Sequence, residues 1–409
     1  MSITTPVDHA TVRGQRLSFR DGIATWTSNL RSGEIGSLPV VLALVVIAII
    51  FQAQNDRFLT PQNLTNLVVQ LAPIAVIATG IVFVLLIGEI DLSVGVTSGV
   101  GGIIIAKLIV PDGSELPWLV AVGVALAVAV GVGIFHGWFV AKLGVPSLIV
   151  TLATLFIGTG IVLALAGDQG LIRVQNTAVI GIANNFLPSG TGIVLAVVAV
   201  AMYAFAQISV DRSNLAQGLH AQSWASLGTK VGIAALVGAG AIAVTNADRG
   251  FPLVGVLLGV MVVGWTVVAE RTRFGRHVYA VGGNAEAARR AGINVDRIKI
   301  ACFVIASVMS TLGGLVLASR LRSVDNNVGG NLLLNSIAAA VIGGTSLFGG
   351  RGKVSSAING AIVIAAVESG MGLLGWPSDR KFMVTGGILL LAVTIDTVTR
   401  RTRQSSGRS

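Results

Sequence analysis

The stretch RTRFGRHVYAVGGNAEAARRAGIN, residues 271–294, is a strongly charged island between two long apolar runs. A segment of this kind must lie in water at one face of a membrane. It has the features of a short helix with defined ends, because Asn284 can cap the first free amides and Gly292 permits a left-handed exit. Glu286 suits the positive N-terminal end of such a helix, and Arg289 suits its negative C-terminal end. The stretch therefore predicts a short water-exposed helix held between membrane spans.

Composition places the whole chain in the membrane class. Apolar residues make up 53% of the 409 residues, charged residues make up only 11%, and the mean hydropathy is +0.84. These values lie outside the range of soluble globular proteins. Helices are expected because lone strands cannot satisfy their backbone groups in lipid, and the short alternating segments of a transmembrane barrel are missing. The sequence therefore predicts an all-α polytopic membrane protein.

Apolar runs between polar breaks predict about 10–12 transmembrane helices within residues 38–399. The candidate spans lie near 38–53, 67–87, 93–110, 117–141, 147–166, 191–208, 227–246, 252–269, 298–318, 332–349, 354–374 and 382–399. The runs 67–87 and 332–349 lead directly into polar, glycine-rich breaks. Each of these two could be a continuous span, or it could be a broken or re-entrant helix.

Glycine spacing predicts close helix packing in lipid. The chain contains 52 glycines. The pairs with small-xxx-small spacing include Gly95/Gly99, Gly133/Gly137 and Gly255/Gly259. Such pairs let two helix backbones approach each other closely.

The distribution of charge predicts the orientation of the chain. With the N-terminus inside, most of the 28 Lys and Arg residues fall on the cytoplasmic side, so both termini are expected in the cytoplasm. Residues 1–37 and 400–409 are then cytoplasmic tails. The net charge of +10 is explained by this topology and by anionic lipid. Nucleic-acid binding is not expected, because it would need a basic face on a soluble domain.

The sequence predicts no catalytic, cofactor-binding or metal-binding residues. Cys302 is the single cysteine, and the four histidines are far apart in sequence. The glycine-rich segment before Lys353 does not match a phosphate loop, since Leu347 and Val354 occupy positions that require Gly and Ser or Thr. Glu368 lies in a span without a His or Asp that would complete a catalytic pair.

Two polar breaks interrupt the apolar runs, GEIDLSVG at 88–95 and GGTSLFGGRG at 343–352. Ionisable groups near the bilayer are costly and are usually kept for function, so one interpretation is a pathway lining or gate. The other interpretation is a pair of cytoplasmic turns, in which Glu89 and Asp91 precede the first turn of the next helix. The candidate pathway or gate residues are Glu89, Asp91, Ser93, Asn335, Gly343, Gly344, Thr345, Ser346 and Gly349.

Three stretches, in a fixed order, carry a family resemblance. They are GEIDLSVG, then FGRHVYAVGGNAEAARRAGIN, then AAAVIGGTSLFGGRGKVSSAINGAIV. Together they resemble the membrane-spanning permease of bacterial monosaccharide ABC importers of the ribose, arabinose and xylose type, over roughly residues 38–399. The additional spans within 191–246 are more similar to xylose-uptake permeases than to the shorter ribose ones. The resemblance implies import of a monosaccharide, with D-xylose favoured, across the bacterial cytoplasmic membrane.

The same resemblance implies a fold similar to vitamin B12-type importer permeases. It also implies two permease copies, two cytoplasmic ATP-binding cassette modules and an extracytoplasmic sugar-binding protein. ATP would be bound by the partner ATPase, and this chain would not be an enzyme. Residues 271–297 would be the cytoplasmic coupling segment, with Ala287 and Ala288 offering a small contact face. The expected ATPase-coupling residues are Asn284, Glu286, Ala287, Ala288, Arg289 and Gly292.

The residues alone leave a second hypothesis, an ion-coupled secondary transporter of a small polar solute. Such a carrier usually needs ionisable residues at the midplane of several spans. Here most charges lie at span ends. A membrane enzyme is a third class, and it lacks any catalytic grouping. An ATP-driven sugar importer is therefore the preferred prediction.

Overall fold

The computed structural model of the chain describes residues 38–110, 115–167, 170–326 and 329–405. The predicted tail 1–37 and the last residues, 406–409, lie outside these ranges. The described residues form 15 helices and four short strands. Eight of these helices are long and apolar enough to cross a membrane, and three shorter ones are also apolar. The prediction of an all-α polytopic membrane protein is confirmed.

Every predicted span overlaps a helix, and the span 332–349 does so only in its first part. The helices of the first half are α1 (Leu38–Gln54), α2 (Pro61–Leu86), α3 (Val94–Ile109), α4 (Trp118–Ala141), α5 (Ser147–Ala166), α6 (Thr177–Asn184), α7 (Ser189–Ala216) and α8 (Trp224–Asn246). Those of the second half are α9 (Leu253–Arg271), α10 (Arg273–Gly283), α11 (Ala285–Arg290), α12 (Val295–Leu321), α13 (Gly330–Ile342), α14 (Ser356–Leu373) and α15 (Ser378–Ser405). The strands are β1 (Leu171–Arg173), β2 (Phe186–Leu187), β3 (Phe251–Pro252) and β4 (Ser323–Asp325).

Contacts divide the chain into two compact units. One contains Leu187–Phe251, and the other contains Val40–Phe186 together with Pro252–Ser409. The first unit is the helical hairpin of α7 and α8, few of whose residues are buried. The second unit holds the main bundle and all of the predicted site residues.

Helices α2 and α12 form the centre of the main bundle. Most of the residues of α2 are buried, including the large side chains of Ile77 and Phe83. Helix α12 packs against α2, α3 and α4. Cys302 lies on α12 and its side chain is fully buried.

Close packing of α4 on α12 depends on one of the predicted glycine pairs. A Cβ atom at Gly133 would lie 2.4 Å from the Cα atom of Val304, and one at Gly137 would lie 2.5 Å from the Cα atom of Ile300. A larger residue at either position would force the two helices apart. The pair Gly255/Gly259 does not act in this way, because a Cβ atom at Gly259 would have no atom within 4 Å.

The two apolar runs that lead into polar breaks, 67–87 and 332–349, fold differently. Helix α2 is continuous to Leu86 although Pro73 lies inside it. Helix α13 has 13 residues and ends at Ile342, so the predicted span 332–349 is wrong in its second half. A helix of this length is about 20 Å long, which is shorter than the roughly 30 Å hydrocarbon core of a bilayer. A glycine-rich loop at 343–355 follows it.

A small sheet lies at the C-terminal end of α12. Strand β1 pairs antiparallel with β4, and Ile172 stands opposite Val324 in the register. Ser319 in the last turns of α12 accepts a 2.9 Å hydrogen bond from the backbone N–H of Ala183, next to the end of α6. These contacts fix the end of α12 that lies opposite the charged island.

Candidate docking face

Three segments that are distant in sequence meet at the end of the bundle where α2 ends and α12 begins. We call this end the docking face. It comprises residues 87–93, 271–297 and 343–355. The backbone N–H of Gly350 donates a 2.8 Å hydrogen bond to the carbonyl oxygen of Leu86, and the hydroxyl of Tyr279 donates a 2.8 Å hydrogen bond to the carbonyl oxygen of Gly352. The three motifs recognised separately in the sequence therefore form one structural unit.

The ends of the short helix α11 have the predicted chemistry. The side-chain oxygen of Asn284 accepts a 2.9 Å hydrogen bond from the backbone N–H of Ala287. Gly292 has a φ of +83°, in the left-handed region that glycine favours. Arg290 forms an exposed ion pair with Glu286, at 3.2 Å between Nε and Oε1, and exposed pairs of this kind stabilise a helix only slightly.

Ala288 does not lie on the exposed side of α11. Its side chain is 4% exposed and belongs to the main hydrophobic core. The prediction that Ala287 and Ala288 together form a contact face is therefore wrong for Ala288. A short helix that rests on a bundle must bury one side, and Ala288 is on that side. The exposed residues of α11 are Glu286, Ala287, Arg289 and Arg290.

The charged island contains a second helix, α10, which was not predicted from the sequence. Thr272 caps it, since its hydroxyl oxygen accepts a 3.2 Å hydrogen bond from the backbone N–H of Gly275. Val278 and Val281 are buried on one side of α10. Their spacing, one helical turn apart within a charged segment, is typical of an amphipathic helix and could have identified it.

The end of α10 contacts the end of α2 at very short range. A Cβ atom at Gly282 would lie 1.7 Å from the carbonyl oxygen of Leu86 and 2.7 Å from the backbone nitrogen of Gly350. Gly349 has a φ of +86°, and a Cβ atom there would lie 2.9 Å from the backbone nitrogen of Gly88. We call these five residues, Leu86, Gly88, Gly282, Gly349 and Gly350, the glycine junction. It joins α10, α2 and the loop 343–355 through backbone atoms.

The first polar break forms a hydrogen-bonded turn before α3. One carboxylate oxygen of Asp91 accepts hydrogen bonds from the backbone N–H of Ser93 at 2.8 Å and from its hydroxyl at 2.6 Å. The other carboxylate oxygen lies 3.9 Å from Nδ1 of His136 on α4, and both of these side chains are fully buried. Glu89 pairs with Lys299 in the second turn of α12. Both carboxylates therefore connect helix ends, which favours the turn interpretation.

The second polar break is also a structured turn. The backbone N–H of Thr345 donates to the carbonyl oxygen of Ala340 at 3.1 Å, and that of Ser346 donates to the carbonyl oxygen of Arg351 at 2.9 Å. Gly343, Gly344 and Gly349 lie in the same loop. Asn335 lies apart from all other candidates, inside α13, where it is 3% exposed.

An open pocket of about 470 Å³ lies beside the Tyr279 hydrogen bond. It is lined by Ala269, Glu270, Arg276, Tyr279, Gly352 and Lys353. Burial raises the pKa of Tyr279, and the negative charge of Glu270 raises it further, so the phenol keeps its proton as a hydrogen-bond donor. Within residues 38–110, 115–167, 170–326 and 329–405, no group of three or more His, Cys, Asp or Glu side chains could hold a metal ion.

Comparison with known proteins identifies the family. Residues 63–393 match the family described as "Branched-chain amino acid transport system / permease component". The xylose transport system permease protein XylH of Escherichia coli (strain K12) is 36% identical over 91% of this chain and 95% of its own length. XylH of Haemophilus influenzae is also 36% identical, over 91% of this chain and 99% of its own length.

A more distant relative is the ribose import permease protein RbsC of Escherichia coli (strain K12), which is 29% identical over 87% of this chain and 92% of its own length. No solved structure matches the chain. The family match contains all three segments of the docking face. This chain is therefore a multi-pass membrane protein that belongs to the permease family of branched-chain amino acid transport systems.

Proposed function

We propose that this chain is the permease subunit of an ATP-binding cassette importer that carries a monosaccharide, D-xylose first among the candidates, into the cytoplasm. The docking face supports this function most directly. It presents a capped helix with an exposed charged side, and the preceding helix α10 is joined by the glycine junction to the end of α2. The identity of 36% to proteins named as xylose transport permeases supports the choice of xylose.

The proposal assigns one partner to each face of the bundle. A cytoplasmic ATPase subunit binds the exposed side of α11, and an extracytoplasmic sugar-binding protein delivers the sugar at the opposite face. A second copy of the permease completes the pathway. ATP is bound and hydrolysed by the partner subunit, and the permease catalyses no chemical reaction. The chain lies in the bacterial cytoplasmic membrane with both termini in the cytoplasm.

The docking face suggests how closure of the ATPase would move the bundle. A coupled conformational change requires contacts that differ between two states. Helix α11 is linked to the start of α12 by the short segment 291–294, and α10 meets α2 and the loop before α14 at the glycine junction. A displacement of α11 would therefore reach α12 through the chain and α2 through backbone contact. These are the two central helices.

Reconstitution in proteoliposomes tests the proposed function. The vesicles would contain the permease with its ATPase, and radiolabelled xylose would be supplied with the binding protein outside and ATP inside. We expect ATP-dependent uptake that persists when ionophores remove the proton and sodium gradients. Uptake that requires an ion gradient and continues without ATP would contradict the proposal and would favour an ion-coupled carrier.

A further inference from the structure

A polar cluster lies between α13 and α14, which pack against each other away from the docking face. Glu368 is in the outer half of α14, about 18 Å along the helix from its docking-face end. Arg320 is in the last turn of α12, and Asn335 is in α13. The family match places no role on any of these three side chains.

The contacts of this cluster leave part of its hydrogen-bonding capacity unused. The amide group of Asn335 donates a hydrogen bond to Oε1 of Glu368. Arg320 and Lys381 attract the carboxylate electrostatically. Within the described residues, however, neither cation lies within the 4.0 Å of an ion pair with Glu368, and the guanidinium group of Arg320 donates no hydrogen bond. One carboxylate oxygen and the donors of the guanidinium therefore remain available to a ligand.

The chemistry of the cluster fits a polyhydroxylated ligand. A carboxylate accepts hydrogen bonds, a guanidinium donates five of them, and a carboxamide does both. Ionisable side chains within membrane spans are costly, usually face the protein interior or a water-filled cavity, and commonly mark a substrate pathway. A sugar ring carries hydroxyl groups that both donate and accept. Neither a monatomic ion nor an apolar solute would use all three of these groups.

We propose that Glu368, Arg320 and Asn335 form a transit site that binds the hydroxyl groups of the sugar after its release at the outer face. This inference rests on the proposed import function and names the side chains that would contact its substrate. The transit site is separate from the docking face, so its loss should lower sugar passage without preventing ATPase binding.

A purely structural role is the competing explanation, in which Glu368 joins α13 to α14 or balances the charge of Arg320. Three variants separate these roles in the reconstituted transporter. Glu368→Gln keeps an oxygen that can accept from Asn335 but removes the charge, and Glu368→Asp keeps the charge. The double variant Glu368→Gln with Arg320→Gln removes both charges together.

If the transit site binds sugar, Glu368→Gln should lower the maximal rate of uptake about tenfold, since hydrogen bonds to charged groups are among the stronger ones. Glu368→Asp should retain more of the rate, and the double variant should be slower than Glu368→Gln. ATP hydrolysis stimulated by the loaded binding protein should stay within about twofold of the unmodified rate. Ser369→Ala is the matched control on the same helix, because Ser369 donates inward to Asn63 at 2.8 Å. It should lower thermal stability but not uptake per assembled complex.

Two results would overturn the transit site. One is uptake by Glu368→Gln at the unmodified rate, and the other is restored uptake in the double variant, which would show that charge balance alone matters. If Glu368→Gln does not assemble, Arg320→Gln alone supplies the same comparison, with unchanged uptake counting against the site. The unmodified transporter must import xylose in the same assay. Its failure would contradict the proposed function rather than this inference.

Discussion

A Cβ atom at Gly282 would lie 1.7 Å from the carbonyl oxygen of Leu86, so the ends of α10 and α2 touch through backbone atoms at this point. Gly282→Ala should therefore displace α10 from the end of α2, with a cost of about 1–3 kcal/mol typical of overpacking. We expect transport to fall about tenfold while ATP hydrolysis continues. The reason is that α10, once displaced, would no longer move together with α2. Gly283→Ala is the matched control, since a Cβ atom there meets nothing within 4 Å. Equal transport by both variants would show that the glycine junction is not needed for coupling.

Replacement of Tyr279 by Phe should loosen the loop 343–355. The change removes the hydrogen bond to Gly352 and should cost about 0.5–1.5 kcal/mol, the usual net value of such a bond. Because the pKa of Tyr279 is raised in the folded protein, this bond is fully present below the ordinary phenol pKa of about 10 and is lost only as the pH rises above it. Thermal unfolding in detergent should therefore show the same difference between Tyr279→Phe and the unmodified protein at about pH 6 and pH 9. A difference that disappears within this range would contradict the assignment.

Substitutions at two neighbouring alanines test ATPase docking and protein folding separately. Ala287 is exposed on α11, whereas Ala288 is buried in the core. Ala287→Trp should leave thermal stability unchanged but should weaken copurification with the ATPase, because the large ring stands in the proposed contact. Ala288→Trp should lower stability by about 1–3 kcal/mol or prevent folding, since the core has no room for it. Normal copurification and transport by Ala287→Trp would remove α11 as the ATPase contact.

Removal of the pair between Glu89 and Lys299 tests the two interpretations of the first polar break. If the pair only joins helix ends, Glu89→Gln alone should destabilise the protein by about 1–3 kcal/mol, because Lys299 is left partly buried without its partner. Lys299→Met combined with Glu89→Gln should then recover stability and transport. If Glu89 instead lines a gate, the double variant should be stable but inactive. Thermal unfolding and sugar uptake, measured on the same preparations, distinguish the two outcomes.

Local signals in the sequence predicted the local structure of this chain. Apolar runs located every long helix, and the capping chemistry of Asn284 and Gly292 located both ends of α11. These features depend on residues close in sequence. The burial of Ala288 could not be predicted in the same way, because α11 has too few residues for a periodic pattern to show which side faces the bundle.

Relations between distant segments were likewise not predictable from the sequence. Nothing in the two polar breaks indicated that Gly350 would bind Leu86 or that Gly282 would lie against both. Such contacts depend on how α2, α12 and α14 are arranged, and glycine spacing indicates only that some close contact exists. The hydrogen bond between Asn335 and Glu368 also joins helices whose facing sides the sequence does not specify.

The complete burial of Cys302 makes this chain well suited to site-directed labelling. It is the single cysteine, and thiol reagents at the aqueous surfaces cannot reach its side chain. A cysteine introduced at position 287 would therefore be the reactive thiol of an otherwise unmodified chain. A fluorophore or spin label attached there would report the approach of the ATPase in real time. In the proposed dimer, paired labels on the two copies would measure how far the two α11 helices separate during each cycle of nucleotide hydrolysis.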